Sequence, residues 1–509
     1  RGSVIYTTDQ CVRYEAGPLE EFMIRIPGAK IPGADAGGGD DKVEAERSNF
    51  RQLLVKNPNH FGTVPDFDLG AVKPMQGNTK YEELRCLGFD PQRDLLEAIF
   101  DVKLPYGYRG PLCSTGSREY VRFYVDWNGD GDFTDADEDV GMVSTDVHDI
   151  PDSGGPCRKR DKPLSYSIKV KLDPKKLHCT KPNLVKVRAI LSWDVAPTPG
   201  APAEPPVWGN VLEKWIQIGK RDFLVADIAP AVDFATLQIS PEMLDSAAPI
   251  SKSQTLSAAD LEALYQGKDV PEHRYNLQAL EPIVHQMKQN PGLIKGFKQD
   301  PLYQSKIQAI QAVLQSKSET RYEELQCVGL RYDRDTLSAT LRIKLPNGYS
   351  GNLCTDGSDE HVAFWAHVYD GIEQQCVWRY LGTASVNVHD FEAIPAGGLH
   401  YSVQLPYDFS SWKRGCSDPV VMKIRAVLSW RSFPSTTDPF EPPVWGNAVE
   451  ALIQLRPEDA DIPGMLKPYL WSIGEMAVES IAGNPYTTLG SSLGDGYANG
   501  PSVNGGYTA

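Results

Sequence analysis

Tyr81–Phe89 reads YEELRCLGF, and Tyr322–Leu330 reads YEELQCVGL. The same offset of 241 residues carries KLPYGYRGPLC (103–113) to KLPNGYSGNLC (344–354), and DVHD at Asp146 to NVHD at Asn387. VRAILSW at Val187 returns as IRAVLSW at Ile424, and EPPVWGNVLEKWIQI at Glu204 returns as EPPVWGNAVEALIQL at Glu441. Trp193 to Trp430 is 237 residues, so only small insertions and deletions separate the copies. One domain is present twice in tandem.

Each copy reads as strands. In LLEAIFDVKL, Leu96, Ala98, Phe100, Val102 and Leu104 alternate with Glu97, Asp101 and Lys103; in LVKVRAILSW, Val185, Val187, Ala189, Leu191 and Trp193 alternate with Lys186, Arg188 and Ser192. A period of two gives one buried and one wet face. About seven such runs, punctuated by FDPQ and PTPGAPAEPP, predict an antiparallel β-sandwich of immunoglobulin-like size. Between the copies the period changes. Ser257 and Asp260 form a capping box with Gly267 as a stop. Leu277, Leu280, Ile283, Val284 and Met287 recur at helical spacing, with Pro282 expected to kink or divide that helix. Ile307, Ile310, Val313 and Leu314 do the same. A shorter helix, VEAERSNFRQLLVKN, precedes the first copy and also ends at Asn-Pro.

The expected organisation is mainly β with α-helical connectors. An N-terminal segment with a short helix (1–78) precedes the first sandwich (79–219). A helical connector (220–320) leads to the second sandwich (321–456). A C-terminal segment (457–509) ends in a Gly/Ser/Asn-rich tail expected to be flexible.

A chain of 509 residues exceeds what one core usually serves. Its formal charge of −16 disfavours a phosphate-tracking nucleic-acid binder. No apolar run reaches membrane-spanning length. The chain begins at Arg1 rather than Met, which fits a processed product or a truncated chain and leaves a removed targeting signal open. The nine cysteines form no metal-binding pattern and read better as disulfides than as buried thiols, which implies an oxidising compartment. Counting alternating strands within one copy pairs Cys86 with Cys179, Cys113 with Cys157 and Cys327 with Cys416. Cys354 is then left for Cys376, although the count puts those two at opposite poles. Cys11 is odd, expected to be a free thiol or bonded to a second molecule.

The loop DWNGDGDFTDADED concentrates charge from Asp126 onward. Asp126, Asn128, Asp130 and Asp137, with Gly131 at the bend and Asp132 at the carbonyl position, follow the spacing of oxygen ligands in a calcium loop. Strands enter and leave it, so the expectation is a calcium-binding β-hairpin tip rather than an EF-hand. The alternative is a solvated acidic turn without metal. VDWNGDGDFTDADE (Val125–Glu138) resembles the strand–loop–strand signature of GEVED-type domains of secreted bacterial proteins. That resemblance covers about a tenth of the first sandwich and implies an extracellular β-sandwich with a bound cation. The tandem as a whole is similar to exported bacterial proteins of no assigned activity. In the second copy Asp126 aligns with His367 and Asn128 with Tyr369, and Cys376 enters the loop, so the ligand ladder is lost. The ion is therefore expected to be structural.

The repeated His148–Asp149 and His389–Asp390, with Ser192 and Ser429, invite comparison with a hydrolytic triad. Adjacent strand residues point to opposite faces, so Asp149 is badly placed to orient His148, and no nucleophile elbow exists. The expectation is no enzymatic activity, with His148 and Asp149 pinning a loop. Strand counting also gathers Tyr108, His148, Trp193 and Trp208 at one pole. One reading makes this an aromatic surface for glycan or a partner protein. The other, placed ahead because aromatics dominate such cores, has the tryptophans capping the sandwich. The functional expectation is a secreted structural or assembly protein of a cell surface, filament or sheath, partnered by copies of itself or other surface proteins. The alternative is an adhesion or glycan-binding module.

Overall fold

The structure, a computed structural model, describes residues 77–151, 156–157, 159–220, 255–290 and 306–458, together with Arg47 and four short strands. The chain divides into Arg1–Met75 and Gln76–Ala509. In the first unit β1 (Val4–Thr7) and β2 (Gln10–Arg13) form an antiparallel hairpin with Tyr6 opposite Cys11. The short helix expected there and the Gly/Ser/Asn-rich tail lie largely outside the described residues.

The second unit is mostly β. In the first copy, β3 (Glu82–Asp90), β4 (Leu95–Val102) and β7 (Leu164–Lys171) pair antiparallel in the order β3-β4-β7. Strands β5 (Ser117–Asp126), β6 (Asp139–Val147), β8 (Asn183–Trp193) and β9 (Val211–Ile218) pair in the order β6-β5-β8-β9. The second copy repeats both arrangements. Its β10 (Glu323–Arg331), β11 (Thr336–Ile343) and β14 (Leu399–Pro406) pair in that order. Its β12 (Ser358–Asp370), β13 (Gln375–Val388), β15 (Val420–Trp430) and β16 (Ala448–Leu455) run β13-β12-β15-β16. β17 (Ser472–Ile473) and β18 (Met476–Ala477) form a small hairpin. The alternation read from LLEAIFDVKL and LVKVRAILSW marks β4 and β8.

The copies do not stand apart on a linker. Phe89 of β3 pairs parallel with Tyr401 of β14, and the equivalent Leu330 of β10 pairs with Tyr166 of β7. Through these crossings and a third, Leu164 with Leu452, ten strands join into one large mixed sheet. The crossings need close backbone approach, which explains the glycine in each YEEL repeat. A Cβ on Gly88 would lie 2.5 Å from the Tyr401 carbonyl oxygen, and one on Gly329 would lie 3.1 Å from the Tyr166 carbonyl carbon. Side-chain bonds repeat the symmetry: the Tyr166 hydroxyl donates to Gln454 (3.2 Å), and the Tyr401 hydroxyl donates to the equivalent Gln217 (3.4 Å).

The described helices of the connector are part of this body. Helix α1 (Ala258–Tyr265) starts at the expected capping box, with Asp260 N–H donating to Ser257 Oγ (3.2 Å) and Ser257 N–H to the Asp260 carboxylate (2.9 Å). A short α2 (Glu272–Tyr275) breaks at Asn276, before α3 (Leu277–Gln289), which runs through Pro282 without dividing. Helix α4 is Ile307–Gln315. Leu277, Leu280, Val284 and Met287 of α3, with Ile310 and Val313 of α4, enter the same core as Leu341, Phe364 and Ile424 of the second copy. Burying an apolar stripe against a sheet is how such short helices become stable.

Candidate functional site

The acidic loop is organised by its own backbone. Asp126 is buried at the end of β5, and its carboxylate accepts the N–H groups of Gly129 (2.6 Å) and Gly131 (3.1 Å), both glycines having positive φ. Every second residue then repeats the same local turn. Asn128 accepts from Asp130 N–H (2.9 Å), Asp130 from Asp132 N–H (3.0 Å), and Asp132 from Thr134 N–H (2.9 Å). Such Asx turns explain why Asp and Asn alternate here. The Asn128 amide nitrogen stands between the carboxylates of Asp130 (2.9 Å) and Asp135 (2.8 Å). Asp137 presents its main-chain carbonyl to Trp127 Nε1 (3.0 Å). Among the described residues no group of three or more His, Cys, Asp or Glu side chains is arranged to hold a metal ion. Glu138, which sequence reasoning passed over, is buried, accepts Trp127 N–H (3.1 Å) and Asp135 N–H (3.3 Å), and has its pKa raised, chiefly by burial. Phe133 anchors the loop, packed with Tyr124 and Ile190 beneath the Arg188 guanidinium (4.4 Å).

The second copy replaces this loop by a tight turn between β12 and β13. Asp370 accepts Ile372 N–H (2.8 Å) and pairs with Arg379 (2.9 Å), so a side-chain cation meets the charge. His367 packs its ring against Trp378, tilted, with centres 4.8 Å apart.

The repeated His-Asp motif pins a loop in both copies. Asp149 accepts the N–H groups of Tyr108 (2.7 Å) and Gly110 (2.9 Å). Asp390 accepts those of Gly348, Tyr349 and Gly351 (2.7, 2.7 and 3.0 Å) and the Tyr265 hydroxyl of α1 (2.6 Å). His148 turns away to the Ser114 carbonyl (3.2 Å). Burial depresses the pKa of both rings, that of His389 to about 4, and so favours their neutral forms. The acid and the imidazole serve different partners and form no relay.

The aromatic pole is interior. Tyr108, His148, Trp193 and Trp208 are all buried, Trp208 with 1% of its surface exposed, so this set offers no partner surface. The cause is packing: Tyr81 meets Trp208 edge-on at 5.3 Å, and the Tyr108 hydroxyl donates to the Tyr81 carbonyl (2.7 Å). In the second copy Tyr322 meets Trp445 at 5.3 Å, and the centre is filled by Arg274 of α2. Its guanidinium lies 3.6 Å from the Trp430 ring centre and 4.4 Å from that of Tyr322, and forks onto the Glu323 carboxylate at 2.7 Å on each side. Arg274, Glu323 and the nearby buried Glu360 were missed by sequence reasoning. The signal for Glu323 was the Glu repeated at the buried phase of both YEEL strands.

All eight sandwich cysteines are bridged, but every bridge joins one copy to the other. The pairs are Cys86–Cys327, Cys113–Cys416, Cys157–Cys376 and Cys179–Cys354, with Cα separations of 6.3, 4.9, 5.8 and 4.9 Å. The expected pairs Cys86–Cys179, Cys113–Cys157, Cys327–Cys416 and Cys354–Cys376 are corrected accordingly. Counting strands inside one copy ignored the second copy packed against it. Cys11 lies in β2.

No family model and no curated protein matches the chain. Among solved structures it is similar to a beta-glucosidase of Bifidobacterium adolescentis (11% identity, TM-score 0.16, 37% of this chain and 21% of that one). It is also similar to the alkylpurine DNA glycosylase AlkC of Pseudomonas fluorescens (14%, TM-score 0.14, 44% and 54%) and to MtrC of Shewanella baltica (10%, TM-score 0.12, 74% and 68%). The chain thus spans about a fifth of the first and about half of the second, and likenesses this slight carry no argument about fold or function.

Proposed function

We propose that this chain is a secreted, non-catalytic structural subunit of a cell surface, filament or sheath, built from two immunoglobulin-like sandwiches. The observation that carries the reading is the direction of the bridges: all four run between the copies, so the tandem is one covalently tied body that resists separation of its halves. Disulfides of this number belong to an oxidising compartment. Among the described residues no helix is long and apolar enough to cross a membrane. Three strands facing four in each copy support the immunoglobulin-like reading.

Within this reading calcium stiffens the first copy's hairpin. Asn128 places the positive end of its amide between Asp130 and Asp135, where a cation would take its place among the same carboxylates. Asp126, Asn128, Asp130, Asp132 and Asp137 are the proposed ligands, with Asp135 added by this geometry. Hard oxygen donors on a flexible loop suit calcium.

A binding role has one observation in its favour. The second copy, lacking the acidic loop, leaves Phe433 (73%), Phe440 (57%) and Tyr369 exposed. Electron microscopy of native material tests the choice. Ordered filaments or sheets of the chain support the assembly role. Monodisperse particles that bind glycan or a partner through these aromatics, and never assemble, overturn it.

A further inference from the structure

We propose that Lys169 and Gln404 are joined by an isopeptide bond across the interface of the two copies, with Glu97 as the proton carrier. Lys169 lies on β7 and Gln404 at the corresponding position of β14. Lys169 Nζ reaches the Gln404 carboxamide oxygen at 2.5 Å. Glu97 is the cross-strand partner of Lys169, and Ser338, its counterpart in the second copy, is the partner of Gln404. Four symmetry-related positions therefore meet near the crossing of the copies, one side bearing an amine and a carboxyl, the other an amide and a hydroxyl.

Three features suit amide exchange rather than a plain hydrogen bond. Glu97 is fully buried, its two carboxylate oxygens without a hydrogen-bond partner, near Ser167 and Ser338, whose hydroxyls bond each other at 3.0 Å. Burial lifts its pKa to about 7, so near neutrality it both takes and gives a proton. The Gln404 amide nitrogen is buried with no hydrogen-bond partner, and losing it as ammonia removes an unsatisfied buried donor.

The reaction balances without an oxidant or other co-reactant. The Glu97 carboxylate takes a proton from the Lys169 ammonium. The neutral Nζ adds its electron pair to Gln404 Cδ, forming the new C–N bond. A proton passes from the former amine to the departing nitrogen as the Cδ–Nε2 bond breaks. The Glu97 carboxyl returns its proton to the released ammonia, which leaves as ammonium. A lysine amine made nucleophilic by deprotonation is established chemistry.

The test is mass spectrometry of the native chain, reduced and unfolded. The expected mass is below that of the sequence by one ammonia, and digestion yields one branched species joining the Lys169 and Gln404 peptides. Asn-Gly steps such as Asn128–Gly129 also lose ammonia on cyclising, so the branched peptide is the deciding readout. The isosteric Glu97→Gln chain is expected to give the two peptides separately. Recovery of Lys169 and Gln404 only in linear peptides from the native chain overturns the bond. A Glu97→Gln chain that still forms it overturns the role given to Glu97.

Discussion

Cys86 and Cys327 stand 241 residues apart, occupy the same position in their two copies, and are bonded to each other. A bond between equivalent residues lies on a two-fold axis, here an approximate one inside a single chain. Cys113–Cys416 and Cys179–Cys354 exchange places under the same operation, as do Phe89–Tyr401 and Leu330–Tyr166. The interface is thus isologous, in the manner of a symmetric dimer whose halves have been fused. Cys157–Cys376 breaks the symmetry, using a cysteine that entered the second copy's hairpin where the acidic ladder was lost.

The crossing makes Gly88 sensitive to any side chain. Gly88→Ala sets a Cβ against the Tyr401 backbone and is expected to destabilise by about 1–3 kcal/mol. Gly329→Ala, whose nearest contacts are 3.1 Å away, is expected to cost less. Chemical denaturation of the two variants checks the order.

Arg274 forks onto Glu323 within a buried aromatic shell. Arg274→Met leaves that carboxylate buried without its partner and is expected to cost about 3–5 kcal/mol in thermal or denaturant unfolding. Adding Glu323→Gln to the same chain is expected to recover part of the loss. Equal stability of the native chain and Arg274→Met would remove the connector's anchoring role.

His389 gives the fold an acid-sensitive term. Its pKa falls from 6.5 in the unfolded chain to about 4 in the folded one, chiefly through burial. The unfolded state therefore binds the extra proton first. The stability from this ring is whole above pH 6.5 and is lost as pH falls towards 4, by about 3 kcal/mol in all. Buried Glu360, whose pKa is raised well above the usual carboxyl range, acts in the opposite sense: its contribution is whole below pH 4.5 and declines as pH rises. The difference in melting temperature between the native chain and His389→Gln isolates the histidine. It is expected to narrow from pH 6.5 to pH 4.

Calcium is expected to raise the melting temperature of the native chain and to leave Asp130→Ala unchanged. Calorimetric titration in chelator-treated buffer follows the same contrast. Identical titrations for the two chains would leave the acidic loop as a turn held by its own backbone bonds.

The sequence shows the duplication, the strands and the connector helices plainly because those are local patterns. Alternation in LLEAIFDVKL and the Ser257–Asp260 box need only neighbouring residues. The pinning role of Asp149 was equally legible, since adjacent strand residues diverge. What escaped was whatever depends on one copy meeting the other. Cys86 finds Cys327 only because Gly88 and Gly329 let two backbones cross, and no periodicity within a single copy reports that. The capping reading of Trp193 and Trp208, placed ahead of the surface one, agrees with their burial; what the sequence did not show is that buried tyrosines and, in the second copy, Arg274 fill that pole.

The disulfide map tests the central claim most directly. Non-reducing digestion of native chain, alkylated before cleavage and read by mass spectrometry, is expected to yield Cys86 joined to Cys327, Cys113 to Cys416, Cys157 to Cys376 and Cys179 to Cys354. Cys86 joined to Cys179, or recovered alkylated, would show two independently closed sandwiches and contradict the fused, two-fold body.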